Sequence, residues 1–123
     1  MARIVICDGD VQAGRFLRLV LHGQAYEVEM VHTAADCLAA CAQSWPHLVV
    51  TDLTLSDMDG CALIRRLRIA RPTLPILALS GSGDDLLRAG WQSGADRVLS
   101  KPIAPALLLS TTAHLIAALN APP

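Results

Sequence analysis

The sequence predicts an α/β protein: a doubly wound parallel β-sheet with helices on both faces. Short runs of β-branched and aliphatic residues alternate with longer helical stretches, which is the pattern of such sheets. The 123 residues, 53% of them hydrophobic, are enough for one core and too few for two ordinary domains. Three prolines precede predicted strands and two glycines stand where predicted helices should stop, which marks turns between the runs. We therefore expect residues 1–123 to form one domain.

Five segments have the composition of buried parallel strands. They are short and consist mainly of aliphatic residues, many of them β-branched. Pro46 and Pro75 precede two of them and mark the turns that lead into the sheet. The predicted strands are Arg3–Cys7, Glu27–Val31, Leu48–Thr51, Ile76–Leu79 and Arg97–Leu99.

Each predicted strand is followed by a segment of helical length and composition. Gly23 and Gly94 stand where two of these helices should end, since glycine is the residue most often found just past a helix terminus. The alternation gives five βα units. The predicted helices are Val11–His22, Ala34–Ser44, Cys61–Ala70, Asp84–Ser93 and Pro105–Leu119.

Composition excludes several classes of function. The formal net charge of -1 provides no broad basic surface, so we expect no direct binding of nucleic acid. No apolar run approaches the roughly 18 residues that cross a bilayer, and acidic residues follow the amino terminus too closely for a signal peptide. We expect a cytoplasmic protein. Its four cysteines contain no CxxC pair, and we expect free thiols packed as small hydrophobic residues.

Polar residues gather at the carboxyl ends of the predicted strands. Asp8 and Asp10 follow the first strand, Asp52 the third, Ser80 the fourth and Lys101 the fifth. In a parallel sheet these ends share one edge, where ligands bind. Carboxylates hold Mg²⁺ or act as a nucleophile, and a hydroxyl and an ammonium bind phosphoryl oxygens. The cluster predicts phosphoryl transfer; helix-capping aspartates and a solvated lysine are the simpler alternative.

Three segments resemble response-regulator receiver domains of bacterial two-component systems, and they occur in the family's order. PHLVVTDLTLSDMDGCALIRRLR resembles the block with the phosphoacceptor and its turn glycine, here Asp52 and Gly60. PILALSGSG resembles the strand that ends in a Ser or Thr, here Ser80. GADRVLSKPI resembles the block with the invariant lysine, here Lys101, and implies a cis peptide before Pro102.

The resemblance implies a flavodoxin-like fold with strand order 2-1-3-4-5. It also implies a signalling module rather than an enzyme, with at most self-phosphorylation from small phosphodonors and autodephosphorylation. Asp52 would accept a phosphoryl group from a histidine kinase or a phosphotransfer protein, and Ser80 and Lys101 would bind that group. Asp8, Asp52 and the main-chain oxygen of Thr54 would hold Mg²⁺. The output would pass to an effector domain or a downstream protein.

Two positions depart from the family pattern. Gly9 stands where the family has a second acidic residue that contacts the metal, so we expect weaker Mg²⁺ binding unless Asp10 replaces it. Val98 stands where the family has its aromatic switch residue, and a valine cannot flip as a ring does. Any switch must then work through the fourth helix and its loop.

The resemblance places the output surface on the fourth helix, fifth strand and fifth helix. Leu87 and Trp91 share one side of their helix, and an exposed tryptophan is a common interface anchor. The surface indicates a homodimer or a docked partner; alternatively, Trp91 folds over the domain edge as part of the core. Its predicted residues are Leu87, Trp91, Val98, Leu107 and Thr111.

Two other functions compete with a phosphorylated receiver. A pseudo-receiver would keep the fold and the interface without responding to phosphorylation, as Gly9 and Val98 favour. A phosphatase of the haloacid-dehalogenase type would use Asp8 as nucleophile and Asp10 as acid-base, since ICDGDV resembles the start of that family. Against the phosphatase, no acidic motif follows Lys101 and no cap domain fits. The tail 121–123 indicates either a frayed end or the beginning of a linker to an effector domain, and receivers of this kind also stand alone.

Overall fold

The computed structural model describes residues 1–81 and 83–120, and the side chains of all of these except residues 83–85 and 119–120. It confirms the predicted fold class. Five parallel strands form one sheet in the order β2-β1-β3-β4-β5. The predicted tail 121–123 lies outside the described residues. The strands are β1 (Arg3–Cys7), β2 (Glu27–Val31), β3 (Leu48–Asp52), β4 (Ile76–Ser80) and β5 (Arg97–Ser100).

Five helices connect the strands and follow the last one. Asp10, Thr33 and Asp59 cap the first three, because each side-chain oxygen accepts an N–H of the first turn. No helix of the described residues is long and apolar enough to cross a membrane. The helices are α1 (Val11–His22), α2 (Ala34–Gln43), α3 (Gly60–Ala70), α4 (Gly83–Ser93) and α5 (Pro105–Asn120).

The sheet separates two hydrophobic clusters. Side chains of β1 alternate between them, with Val5 and Cys7 on one face and Ile4 and Ile6 on the other. The first cluster includes residues of α2, α3 and α4, whereas the second includes residues of α1 and α5. Because β1, β3 and β4 are covered on both faces, nearly all their residues are buried. This rigid centre supports the loops at its carboxyl edge.

Three strands, β3, β4 and β5, are one residue longer than the sequence predicted, and two of the added residues, Asp52 and Ser80, belong to the predicted site. Asp52 pairs in register with Leu79, and Ser80 pairs with Ser100. In β3, β4 and β5 the parallel ladder therefore continues one residue beyond the predicted end of the strand. Composition does not reveal the added residue, because an apolar run ends at the first polar side chain, whereas backbone pairing continues through that residue.

Two local predictions are confirmed. Gly94 follows α4 with a φ of 114°, a conformation that favours glycine. The Lys101–Pro102 peptide is cis. Gly23 ends α1 as predicted, but with an ordinary helical φ of -61°.

All four cysteines are free and buried, as predicted. The thiol of Cys37 hydrogen-bonds Cys41 and Cys7, and these contacts together with burial raise its pKa far above the ordinary value. A neutral thiol packs as a small apolar group, so Cys37 belongs to the core.

Candidate functional site

The carboxyl ends of β1, β3 and β5 bring three predicted site residues into contact. Lys101 Nζ donates to Asp8 Oδ2 at 3.0 Å and to Asp52 Oδ2 at 2.9 Å. The lysine follows β5, while the aspartates lie directly after β1 and at the end of β3. One ammonium thus bridges two carboxylates at the edge where ligands of such sheets bind.

This ion-pair cluster is shielded from water. Asp8 is fully buried and Asp52 is 8% exposed. Buried carboxylates need partners, and Lys101 supplies a hydrogen bond to each. Burial alone would lower the pKa of Lys101, but its hydrogen bonds to Asp52 and Asp8 and their charges outweigh burial and raise the pKa. Lys101 therefore stays protonated at neutral pH.

Ser80 is held at the same edge by backbone hydrogen bonds. It lies at the end of β4 and is 2% exposed. The amide of Lys101 donates to the carbonyl oxygen of Ser80 at 2.7 Å, which ties the start of the lysine segment to β4. The ends of β1, β3, β4 and β5 therefore lie at one edge, where Asp8, Asp52 and Lys101 contact one another through their side chains and Ser80 is joined to Lys101 through the backbone.

Asp10 has a structural task. Its Oδ1 accepts the N–H groups of Gln12 at 2.9 Å and Ala13 at 3.3 Å, which caps α1. Its own amide donates to Asp8 Oδ1 at 2.9 Å. The sequence left open that the aspartates cap helices instead of forming a site, and Asp10 does cap a helix.

The loop between β3 and α3 closes tightly over the end of β3. The amide of Thr54 donates to Asp52 Oδ1 at 3.1 Å, and Thr54 forms an isolated antiparallel bridge with Asp59. A Cβ on Gly60 would lie 2.5 Å from the carbonyl oxygen of Asp52, so only glycine fits at this turn. The β3–α3 loop therefore lies directly against the backbone of Asp52.

Two further contacts hold the loops of the site, and neither was predicted from the sequence. Asp57 accepts the N–H groups of Ala34 at 2.9 Å and Ala35 at 3.0 Å, which binds the β3–α3 loop to the start of α2. These hydrogen bonds lower the pKa of Asp57. His32 Nδ1 lies 2.9 Å from the carbonyl oxygen of Asp8. The sequence does show an acidic residue five positions after Asp52, but it does not show that this residue binds the amides of Ala34 and Ala35.

The donor chemistry of the cluster fits a weakly held Mg²⁺. Asp8 and Asp52 offer two carboxylates, and Mg²⁺ sites commonly use one or two with water and phosphate oxygens completing the shell. Among the described side chains, those of residues 1–81 and 86–118, no three His, Cys, Asp or Glu are arranged to hold a metal ion. Lys101 also contacts both carboxylates and would compete with a cation.

Gly9 leaves room where the family's second acidic residue would stand. It is exposed, its φ lies outside the left-handed region, and a Cβ would come no closer than 3.9 Å to the carbonyl oxygen of His32. The backbone at position 9 could therefore accept an aspartate, and the site lacks this carboxylate only because the residue is a glycine.

The predicted interface residues differ in how far they are exposed to solvent. Trp91 is 49% exposed and Leu107 48% exposed, and both lie outside the hydrophobic clusters. Leu87 and Thr111 are half-buried. Val98 packs against the first cluster, where its Cγ2 would lie 3.0 Å from a Cβ on Gly90. Val98 thus contributes to packing between β5 and α4.

A doubly wound sheet with two aspartates, a serine and a lysine on its carboxyl edge defines the class of aspartate-centred phosphoryl-accepting signalling modules. Comparison with known proteins leads to the same class. Residues 4–113 match the family model of the response regulator receiver domain. The chain belongs to this family, so it is a receiver domain of two-component signalling.

Individual relatives agree with the family match. The response regulator MprA of Mycobacterium avium is 34% identical over 115 residues, which are 93% of this chain and 50% of the relative. The DNA-binding response regulator MtrA of Mycobacterium leprae is 32% identical over 109 residues, 88% of this chain and 48% of the relative. The chain therefore spans about half the length of these curated relatives.

Solved structures show the same architecture. A putative response regulator from Chloroflexus aurantiacus has a TM-score of 0.90 and 32% identity, over 94% of this chain and 98% of that one. A CheY-like receiver domain protein from Methanospirillum hungatei has a TM-score of 0.92 and 26% identity, over 98% and 97%. The family match places the chain among receivers and gives no support to the phosphatase alternative.

Proposed function

We propose that Asp52 accepts a phosphoryl group from the phosphohistidine of a histidine kinase or phosphotransfer protein. The observation that carries the proposal is the Lys101 ammonium at 2.9 Å from Asp52 and 3.0 Å from Asp8. Asp52 is the nucleophile, because its carboxylate lies at the end of the central strand with the lysine beside it. Its oxygen forms the bond to phosphorus while the bond from phosphorus to the histidine nitrogen breaks.

The neighbouring residues bind the transferred group. Lys101 offsets the negative charge of the phosphoryl oxygens, and the hydroxyl of Ser80 donates a hydrogen bond to one of them. Asp8, Asp52 and the main-chain oxygen of Thr54 are the residues that would hold Mg²⁺. When bound, the cation reduces the repulsion between two carboxylates and an incoming phosphate. Asp10 would join this set only if its carboxylate exchanged the α1 cap for the cation.

The module acts on itself and not on a separate substrate. At most it phosphorylates itself from small phosphodonors and loses the phosphoryl group by hydrolysis. Its output passes through α4, β5 and α5 to a second copy, an effector domain or a downstream protein. The relatives are about twice as long, and one is named a DNA-binding response regulator, which supports an effector domain as the partner.

A pseudo-receiver is the second candidate, and Gly9 is the observation that favours it. With two carboxylates instead of three, the site holds a divalent cation less tightly. Such a protein would keep the α4–β5–α5 surface for binding while Asp52 stayed unmodified. The two candidates differ in whether Asp52 reacts.

The test uses acetyl phosphate with Mg²⁺, followed by intact-mass measurement of wild type, Asp52→Asn and Asp8→Asn. We expect one phosphoryl adduct on wild type, none on Asp52→Asn, and a yield at least about tenfold lower on Asp8→Asn. No adduct on wild type at any Mg²⁺ concentration would favour the pseudo-receiver. An adduct retained in Asp52→Asn would show that another residue is the acceptor.

A further inference from the structure

A groove beside the site lies between α1 and the segment that follows β5. Its volume is about 620 Å³, and its walls are mostly apolar. Leu17 and Ile103 form the floor and belong to the hydrophobic core, which makes this part of the groove rigid. Phe16, 44% exposed, forms an outer wall. Lys101 also lines the groove, and its ammonium contacts Asp52.

Size and lining match those of a small-molecule site. Such sites typically have about 300 to 1,000 Å³, apolar walls and a few polar groups that set the orientation of the ligand. Here the polar residues include Asp10, Gln12 and Lys101. A molecule with an apolar body and a phosphoryl group would place its body against Phe16 and its phosphoryl group beside Lys101.

Charge limits which molecules can bind in this way. Asp8 and Asp52 outnumber Lys101, so a phosphate binds only when Mg²⁺ accompanies it. This inference therefore rests on the proposed function. We propose that the groove binds the acyl group of an acyl phosphate, so that Asp52 reacts preferentially with small phosphodonors whose acyl group is apolar and bulky.

The chemistry of the transfer balances without a further reactant. An oxygen of the Asp52 carboxylate forms a bond to phosphorus. The bond between phosphorus and the acyl oxygen breaks, and its electron pair leaves with the acyl carboxylate. No proton is transferred in this step. The groove contributes by holding the apolar leaving group so that the acyl oxygen lies in line with the attacking oxygen of Asp52, on the opposite side of phosphorus.

The test compares acetyl phosphate with benzoyl phosphate on wild type, Phe16→Ala and Leu19→Ala. The rate of adduct formation is measured for each donor, and the benzoyl-to-acetyl ratio removes effects common to both. Because the ring buries apolar area against Phe16, we expect the ratio to fall about tenfold in Phe16→Ala. Leu19 lies on the same helix, is 75% exposed and does not line the groove, so Leu19→Ala should keep the wild-type ratio.

A binding measurement supplies a second readout without phosphoryl transfer. Phenylphosphonate and methylphosphonate are inert, and NMR titration with Mg²⁺ gives their affinities. We expect wild type to bind the phenyl compound about tenfold more tightly and Phe16→Ala to bind the two nearly equally.

The outcomes separate this inference from the proposed function. Adducts from both donors with a ratio that Phe16→Ala leaves unchanged would overturn the groove assignment and leave Asp52 as the acceptor. The same holds if Leu19→Ala lowers the ratio as much as Phe16→Ala does. No adduct from either donor would overturn both proposals.

Discussion

At the scale of single residues, Gly9 leaves the site one carboxylate short of the number that the family resemblance implies. It occupies the position of a usual acidic ligand, and its surroundings leave space for a side chain. Gly9→Asp adds a third carboxylate beside Asp8 and Asp52, and cation affinity rises with ligand charge. We expect Mg²⁺ to bind about tenfold more tightly to Gly9→Asp than to wild type, as measured by isothermal titration calorimetry.

Gly23→Asp is the matched control for this change. Gly23 is exposed at the opposite edge of the sheet, after the end of α1, and its φ is ordinary. The control adds the same charge to the molecule far from the site, so Mg²⁺ affinity should stay at the wild-type value. Equal affinities in wild type and Gly9→Asp would mean that position 9 does not contribute to the metal site.

Asp57 attaches the β3–α3 loop to the start of α2 through hydrogen bonds that depend on pH. Its carboxylate accepts the amides of Ala34 and Ala35, and these hydrogen bonds lower its pKa. The contribution to stability is therefore complete above the unfolded-state pKa of about 4 and is lost as the pH falls through the lower folded-state value. In urea unfolding we expect Asp57→Asn to have a lower midpoint than wild type at pH 6, and the two midpoints to converge near pH 3.

Asp36 provides the comparison for the Asp57 experiment. It lies in the first turn of α2, and its side chain has no described contact with the β3–α3 loop. Asp36→Asn removes a similar charge from the same helix end, so it reports the helix-dipole effect alone. A pH dependence as large in Asp36→Asn as in Asp57→Asn would contradict the role of the two hydrogen bonds.

The contact of Lys101 with Asp8 and Asp52 could be predicted because all three stand at or just after the end of an apolar run. The choice of Lys101, which follows Ser100, also depended on the family resemblance. Asp57 could not be identified in this way, because its partners lie on α2, more than twenty residues earlier in the chain. Side-chain contacts between distant loops depend on how the elements pack, and a single sequence does not show that packing.

At the scale of secondary structure, α3 begins at a point of close contact with β3. A Cβ on Gly60 would lie 2.5 Å from Asp52 O and 2.5 Å from Leu53 Cα, both atoms of the backbone. Gly60→Ala therefore forces the helix away from the strand. We expect it to lower the free energy of unfolding by about 3 kcal/mol, as measured by urea denaturation.

Gly81 offers a matched substitution at the next strand end. A Cβ on Gly81 would meet no atom within 4 Å. Gly81→Ala should change the free energy of unfolding by less than about 0.5 kcal/mol. If Gly60→Ala were equally harmless, the close approach of α3 to the end of β3 would be wrong.

The elements themselves were predicted well because composition changes sharply along the chain. Every predicted strand and helix exists, and each boundary differs by at most one residue. Arg68 shows what the pattern does not reveal. Its guanidinium donates to the carbonyl oxygens of Gly94, Pro72 and Leu74, and so connects α3 to the loops around β4. In the sequence it was one arginine among several.

For the whole molecule, the distribution of charge distinguishes the proposed output surface. Acidic residues collect at the carboxyl edge of the sheet, whereas α5 contains no Asp, Glu, Lys or Arg. Leu107 and Trp91 are exposed on α5 and α4, and a groove of about 410 Å³ between β5 and α5 lies beside Leu107. Arg97 and His114 line the same groove, so the surface combines exposed apolar side chains with a polar rim, as protein contact surfaces do.

This surface predicts self-association through Trp91. Trp91 is 49% exposed and lies outside the core clusters, so it leaves apolar area in water in the monomer, and a partner that covers it removes that area from water. Trp91→Glu places a charge in that contact. In sedimentation velocity we expect wild type to form a dimer as concentration rises, and Trp91→Glu to weaken dimerisation by at least about tenfold. Ile69→Glu, at an 83% exposed position on α3, should dimerise as wild type does. If all three proteins sediment as the same monomer across that range, the surface serves a different partner.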